Sequence, residues 1–335
     1  MRIPFDQLRE TLERALNRLG IIDERAALSA RLIAETDLDG ISTHGIARFP
    51  RFAEMVRLGR IDPAATPQAT SSLGAIERWS GNLGPGNLAA HAAMARAMEL
   101  AEQHGIGGVA LANTTHWQRG GTYGWQAANA GFAAICWSNT LPNLPPWGAT
   151  TPALGNNPLV IAIPRASGSI VLDMAMSQFS YGTLAVYRER GEPLPVPGGF
   201  DAAGNLTTNA AAIEASQRAL PIGFWKGSGL AFALDVLGAM LSGGQATHHF
   251  GPDPLREAGQ SQIFLAVSPG ALAQTAIADD AIAFLHAAEP EIPGHPARYP
   301  GERVLEARAE NLRLGVPVNE AAWNIAQSLA ADVKD

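Results

Sequence analysis

The stretch WKGSGLAF, residues 225–232, is the nearest the chain comes to a dinucleotide fingerprint, and its reading decides the fold. A doubly wound nucleotide-binding sheet requires Gly-x-Gly-x-x-Gly between a strand and a helix, with an acidic residue about twenty positions on. No segment meets that pattern. Gly227 and Gly229 precede an apolar helix beside Lys226, so free backbone N–H groups there would suit an anion such as a pyrophosphate. The plainer reading is a glycine-rich helix entry. Either way, the chain is expected to be α+β and not a Rossmann fold.

Outward from that stretch the apolar periodicity changes twice. Phe5, Leu8, Leu12, Leu16 and Leu19, then Ala27, Leu28, Leu32 and Ile33, stand at helical spacing, which predicts a helical hairpin over 5–38. Residues 87–107 predict a long helix stopped by Gly105 or Gly107, where glycine takes the left-handed conformation. The runs IGGVALAN (106–113), FAAICWSN (132–139), NPLVIAIP (157–164), SIVLDMA (169–175) and SQIFLAVSP (261–269) are short and β-rich, and turn residues separate them. Helices are expected again at 229–241, 279–289 and 319–333. This distribution predicts a central mixed sheet with flanking helices over 71–274, and a helical lobe made by 1–70 with 275–335. Pro- and Gly-rich joints near 60–86 and 287–301 would connect the two.

Composition narrows the function. The 335 residues are 47% hydrophobic and 16% charged, enough apolar surface for a sizeable core. The net charge of −7 and the absence of a basic run speak against a nucleic-acid partner. Any anion must therefore be met by a few local arginines. A single cysteine, Cys136, excludes an internal disulfide and a thiolate metal cluster, which fits a reducing cytoplasm. The histidines show no ligand spacing, so no metal is expected. The first twenty residues carry charges throughout and do not read as a signal peptide, and the longest apolar run, 229–243, is broken by Asp235 and too short for a bilayer. A soluble protein is expected.

Three places combine chemistry-bearing residues. In DGISTHGIARFPRF (39–52), His44 lies between Thr43 and Gly45 in a turn context, with Arg48 one helical turn away. A histidine titrates near neutrality and suits a general acid, and a guanidinium suits the carboxylate of a 2-oxo acid; a hydrogen-bonded loop histidine and surface arginines are the bland alternative. His116, in NTTHWQRGGTYGWQ (113–126), follows a predicted strand, where functional loops concentrate. Asp173 is an acid within an apolar strand, paired either with a backbone amide or arginine, or with a catalytic histidine whose tautomer it fixes.

Taken together, STHGIARFPRF, NTTHWQRGGTYGWQAA, ICWSNTLPNLPPWGATTPALGNNPL, VLDMAMSQFSYG, LPIGFWKGSGLA and SQIFLAV resemble, over essentially the full chain, the malate/L-lactate dehydrogenase family of the second, non-Rossmann type. Relatives acting on ureidoglycolate, sulfolactate or Δ1-piperideine-2-carboxylate more often carry GGYKG-like or GGHKG-like text and lack the tryptophan of HWQRGG, so Trp117, Phe224 and Trp225 point to the sugar-acid branch. The resemblance implies an NAD(P)-dependent oxidoreductase acting on a 2-oxo acid, working as a homodimer, with NADH as cofactor and NADPH as the alternative. It also implies His44 as proton donor and His116, Arg48, Thr43 and Asp173 in the substrate pocket. The cofactor segments it implies are Ser169, Ile170, Val171, Leu172, Asp173, Met174 and Ala175, then Trp225 with Lys226, and Gly301, Glu302 and Arg303. Asn139 is placed either to cap a strand or to hold the nicotinamide amide. Thr43 stands where the family usually has serine, and Glu302 and Arg303 depart from the sugar-acid relatives. The competing reading is a catalytically silent sugar-acid or nucleotide binding protein, which would be expected to lack His44, His116 or Lys226.

Overall fold

The computed structural model describes residues 1–270 and 276–331. Residue 275, at the edge of the expected lobe, and residues 332–335, which include the end of the expected last helix, lie outside the described residues.

The two chain ends build one core. Strand β1 (Arg2–Ile3) is followed by α1 (Phe5–Arg18) and α2 (Asp23–Leu38), then by a short 3-10 turn that enters α3 (Phe49–Arg57). Leu8, Leu12 and Leu16 lie fully buried on one stripe of α1. From the other end, β11 (Val316–Pro317) pairs antiparallel with β1, and α11 (Glu320–Ala330) adds Trp323 and Ala326 to the same cluster.

Seven strands form the central sheet: β2 (Gln68–Leu73), β3 (Ile76–Ser80), β4 (Ile106–Thr115), β5 (Ala133–Ser138), β6 (Leu159–Ile163), β7 (Ile170–Met174) and β10 (Ala258–Val267). Their order is β2-β3-β4-β10-β5-β6-β7. Only β3 and β4 run parallel, so the sheet is mixed, and the successive right-handed βαβ units of a doubly wound fold are missing. The late strand β10 sits in the middle, which locks two distant parts of the chain together. Cys136 and Trp137, neighbours in β5, belong to different apolar clusters because successive side chains point to opposite faces.

On the Cys136 face, α4 (Gly86–His104) and α5 (Gly121–Asn129) pack around Met94, Trp117, Tyr123 and Phe264. On the Trp137 face are α6 (Tyr181–Arg190), α7 (Ala210–Ser216), α8 (Trp225–Ser242) and the hairpin β8 (Gly199–Phe200) with β9 (Leu206–Thr207). Helices α9 (Ala276–His286) and α10 (Glu302–Leu314) lead back to the terminal core. Gly105 ends α4 at φ +82°, the left-handed stop its position predicted.

The joint expected near 60–86 is a hairpin in part. All six residues of β2 are exposed, so this edge strand carries no apolar alternation and is held by backbone pairing with β3. No helix among the described residues is long and apolar enough to cross a membrane.

Candidate active site

A cleft of about 1020 Å³ is walled by the turn after α2, the loop after β4, strand β7, the start of α6 and the turn before α10. His44 enters it from the first of these. Its own N–H closes a tight turn onto the Ile41 carbonyl at 3.2 Å. Beneath the turn, the buried Asp37 carboxylate accepts the Ile46 N–H at 2.6 Å. A Cβ on Gly45 would overlap that carboxylate, so glycine is what allows the anchor to come so close. Burial pushes the Asp37 carboxyl up to about 8, against the lowering effect of the Ile46 N–H.

Two histidines stand together. The His44 and His116 rings are stacked with centroids 6.4 Å apart and planes 24° apart. Thr43 Oγ1 lies 2.8 Å from His44 Nδ1, so the threonine serves the ring with its hydroxyl. His116 Nδ1 accepts the Gln118 N–H at 3.0 Å, which leaves Nε2 as the nitrogen that can carry a proton. Burial, then the charges of Arg48 and Arg119, hold His44 down to about 3, and burial with Arg48 holds His116 well below its usual range. Both rings are neutral at pH 7 until something offsets those cations.

Arg48 and Arg51 face the same cleft and share one acid, Glu257. Arg51 Nη2 donates to Glu257 Oε2 at 2.6 Å, and its Nε and Nη2 also donate to the Pro254 carbonyl. Arg48 Nη2 stays 3.7 Å from the same oxygen, an ion pair without a hydrogen bond. Sequence reasoning paired Arg48 with a substrate and missed Glu257, for which LREAG carries no signal. It also passed over Arg119, which is 4% exposed and lines the cleft. Arg119 Nη1 donates to Asp39 Oδ2 at 2.5 Å, and Arg308 Nε donates to Asp39 Oδ1 at 2.7 Å, so α10 is tied to the start of the His44 turn.

Of the two roles open to Asp173, the structure shows the pairing with a backbone amide and an arginine and not the one with a catalytic histidine. Its Oδ2 accepts the Gly121 N–H at 2.8 Å and lies 3.8 Å from Arg119 Nε, the backbone and arginine pairing, with no hydrogen bond to His44. It is open to the cleft, its side chain 28% exposed, rather than buried in the strand. The surrounding protein nonetheless displaces bulk water and raises its pKa, more than Arg119 and Gly121 lower it.

The expected cofactor residues separate into two groups. Val171, Leu172, Asp173, Ala175 and Gly301 line the cleft, whereas Ser169, Ile170 and Met174 do not. The Val171 N–H donates to the Pro300 carbonyl at 2.9 Å, so β7 and the turn before α10 make one continuous wall. Past Gly301 the cleft is lined by Val304, while Glu302 receives the Tyr299 N–H and Arg303 is exposed. Asn139 is buried away from the cleft: its amide donates to Asp235 Oδ1 and the Gln245 carbonyl, and its oxygen accepts the Ser261 N–H. That side chain is committed to joining β5, α8 and β10. At Gly227 and Gly229 the structure takes the plainer of the two readings, a glycine-rich helix entry rather than an anion nest. Helix α8 already begins at Trp225, and the N–H groups of Lys226, Gly227 and Ser228 donate to Gly223, Ile222 and Phe224. Trp225 and Lys226 are exposed and lie outside the cleft lining. Among the described residues no cluster of His, Cys, Asp or Glu is placed to hold a metal.

The family profile described as malate/L-lactate dehydrogenase matches residues 3–326. The 2,3-diketo-L-gulonate reductase of Citrobacter koseri is 44% identical over 333 residues, covering 98% of this chain and 100% of that one. Among solved structures, Δ1-piperideine-2-carboxylate reductase from Pseudomonas syringae superposes with a TM-score of 0.87 at 27% identity, covering 98% of this chain and 99% of that one. Sulfolactate dehydrogenase from Methanocaldococcus jannaschii gives 0.89 at 26% identity, covering 98% and 96%.

Proposed function

The chain belongs to the malate/L-lactate dehydrogenase family, and on that premise we propose that it reduces 2,3-diketo-L-gulonate to 3-dehydro-L-gulonate with NADH, or with NADPH as the alternative donor. As a family member it is an oxidoreductase acting on 2-hydroxy and 2-oxo acids. The observation that supports the finer reading is His44, His116 and Arg48 converging on one cleft, in a chain that matches a diketo-acid reductase over its whole length.

The residues present fit a nicotinamide beside the acid. A cleft of about 1020 Å³ stands at the top of the range for one small ligand, roughly 300–1,000 Å³, so it has room for two. The wall of Val171, Leu172, Asp173, Ala175 and Gly301 would hold the cofactor, which supplies a hydride when bound.

The protein's own groups do the rest. Arg48 has charge to offer a carboxylate, and holding it fixes the ketone beside the histidines. The same carboxylate offsets the cation that, after burial, most depresses His44, so the proton affinity of His44 rises as the acid binds. His44 then gives its proton to the developing alkoxide, help worth about 10²- to 10⁴-fold. Thr43 and the stacked His116 hold the ring in place.

The second half of the reading is a homodimer in a reducing cytoplasm. Phe232, Val236 and Met240 are 59%, 45% and 62% exposed at helical spacing along α8, an apolar stripe that a second copy would cover. Cys136 is a buried free thiol, consistent with that compartment. Sedimentation as a monomer at micromolar concentration would remove the dimer.

The test of the substrate is loss of reduced-nicotinamide absorbance, with NADH and NADPH separately, against 2,3-diketo-L-gulonate, pyruvate, oxaloacetate and Δ1-piperideine-2-carboxylate. The diketo acid is expected to give the highest kcat/KM. Preference for another acid or the imine reassigns the substrate within the family, and no turnover with any of them favours a binding protein.

A further inference from the structure

We propose that Glu257 is a specificity-determining residue that limits the cleft to acids with a single carboxylate. The inference rests on the reductase reading above and sharpens its substrate class.

The charges that meet the substrate are few. Arg48 and Arg51 flank Glu257, which is 5% exposed and shares its Oε2 between them, and Arg119 is the other cation that acts on His44. Arg51 is consumed in that arrangement: its Nε and Nη2 already serve the Pro254 carbonyl and Glu257. Arg48 makes the longer contact of 3.7 Å and keeps its hydrogen-bonding groups for something else. Two guanidiniums and one carboxylate leave about one positive charge, and it is presented by Arg48. Arg119 has its Nη1 on Asp39 and its Nε, buried without a hydrogen-bond partner, 3.8 Å from Asp173, so its charge already faces two acids and is held back from the cleft.

One carboxylate is matched by that balance. A second, as in oxaloacetate, would enter a desolvated cleft where the nearest uncommitted charge is already used and the next group is Glu257 itself. Like charges brought together in such a place repel, and this is how a site rejects the wrong ligand. A diketo sugar acid, with hydroxyl and ketone oxygens beyond its single carboxylate, meets no such penalty.

The substitution that isolates the charge is Glu257→Gln. The amide keeps the shape and an oxygen for Arg51, and Gln260 can adapt, because its Nε2 now donates to Glu257 Oε1 at 3.1 Å while its own Oε1 is buried without a partner. Turning the Gln260 amide over lets it accept from the new one.

Wild type and E257Q are compared by kcat/KM for pyruvate, oxaloacetate and 2,3-diketo-L-gulonate, and by calorimetric binding of oxamate and tartronate to the protein with NADH, which needs no turnover. The expected result is a wild type that favours the monocarboxylates, and a variant in which the monoanion-to-dianion ratio falls by at least about tenfold, through the KM of the dianion and the matching binding ratio. A ratio that does not move, in a variant whose thermal unfolding matches the wild type, overturns the proposal, as does a wild type that prefers oxaloacetate. If the diketo acid is not reduced but both ratios move, the charge rule holds and the substrate reading above falls instead. Rescue of dianion discrimination in Glu257→Asp, beside its loss in the amide, is the result expected of a charge effect rather than of altered packing.

Discussion

Two glycine-flanked stretches, the His44 turn and the Trp225 turn, make opposite use of similar sequence. Both place small residues beside a basic or titratable side chain at the approach to a helix. At residues 43–46 the turn is folded inward over Asp37, and its histidine meets a second histidine and two arginines in the cleft. At 223–228 the helix has already begun, the N–H groups of Phe224, Lys226, Gly227 and Ser228 are paired, and Trp225 is 65% exposed. A glycine-rich helix entry binds anions only if its backbone donors are left free, and whether they are free depends on where the first helical turn closes. What distinguishes the two stretches is the packing beneath them.

The largest effect that would test this contrast is at the inward turn. His44→Ala should lower kcat by at least about a hundredfold with little change in nicotinamide affinity, read by steady-state kinetics and fluorescence titration. Full activity would remove the ring from the mechanism and leave the two turns chemically alike.

Next comes the support under the ring. Gly45→Ala forces a Cβ against the Asp37 carboxylate and should destabilise by about 1–3 kcal/mol, with a loss of kcat beyond that of a simply less stable enzyme. Chemical denaturation and kinetics on the folded fraction separate the two. Wild-type values for both would mean that Asp37 does not anchor the turn.

The protonation of His44 gives a smaller, graded effect. Reduction needs its charged form, and the free protein holds it down to about 3, so kcat/KM should fall about tenfold per unit as pH rises through the neutral range. The bound carboxylate raises the proton affinity, so kcat should stay level to a higher pH than kcat/KM does. A kcat/KM independent of pH would assign the proton to another group.

The smallest change is expected at the outward turn. Lys226 is exposed, and exposed charges contribute about 0–1 kcal/mol, so Lys226→Ala should raise the KM of the reduced nicotinamide by less than about tenfold and leave that of the acid unchanged. A raised KM for the acid would bring this turn into the substrate wall and end the contrast.

Much of the fold was legible along the chain, because burial imposes a period. The leucines of α1, the glycine stop of α4 and the five β-rich runs all carried their pattern openly. The hairpin of β2 did not, since an edge strand with no buried face has no alternation to display. The site was legible where the family text was long. His44, His116 and Arg48 stood out in their local context and took their proposed roles from the resemblance, and all three line the cleft.

By itself the sequence determined the helical hairpin at the start of the chain, helices α4, α8, α9 and α11, five of the seven strands of a sheet that is not a Rossmann sheet, and which residue types are present for acid chemistry, all of them properties of local pattern and composition. Only the tertiary structure decided the partners. It sent Asp173 to Gly121 and Arg119 rather than to His44, spent the Asn139 amide on three separate elements, and set Glu257 between two arginines that precede it by some two hundred residues. The reason is physical. A side chain's charge and hydrogen bonds are settled by whatever chain is packed against it, and strand β10 and helix α10 bring that chain from far along the sequence.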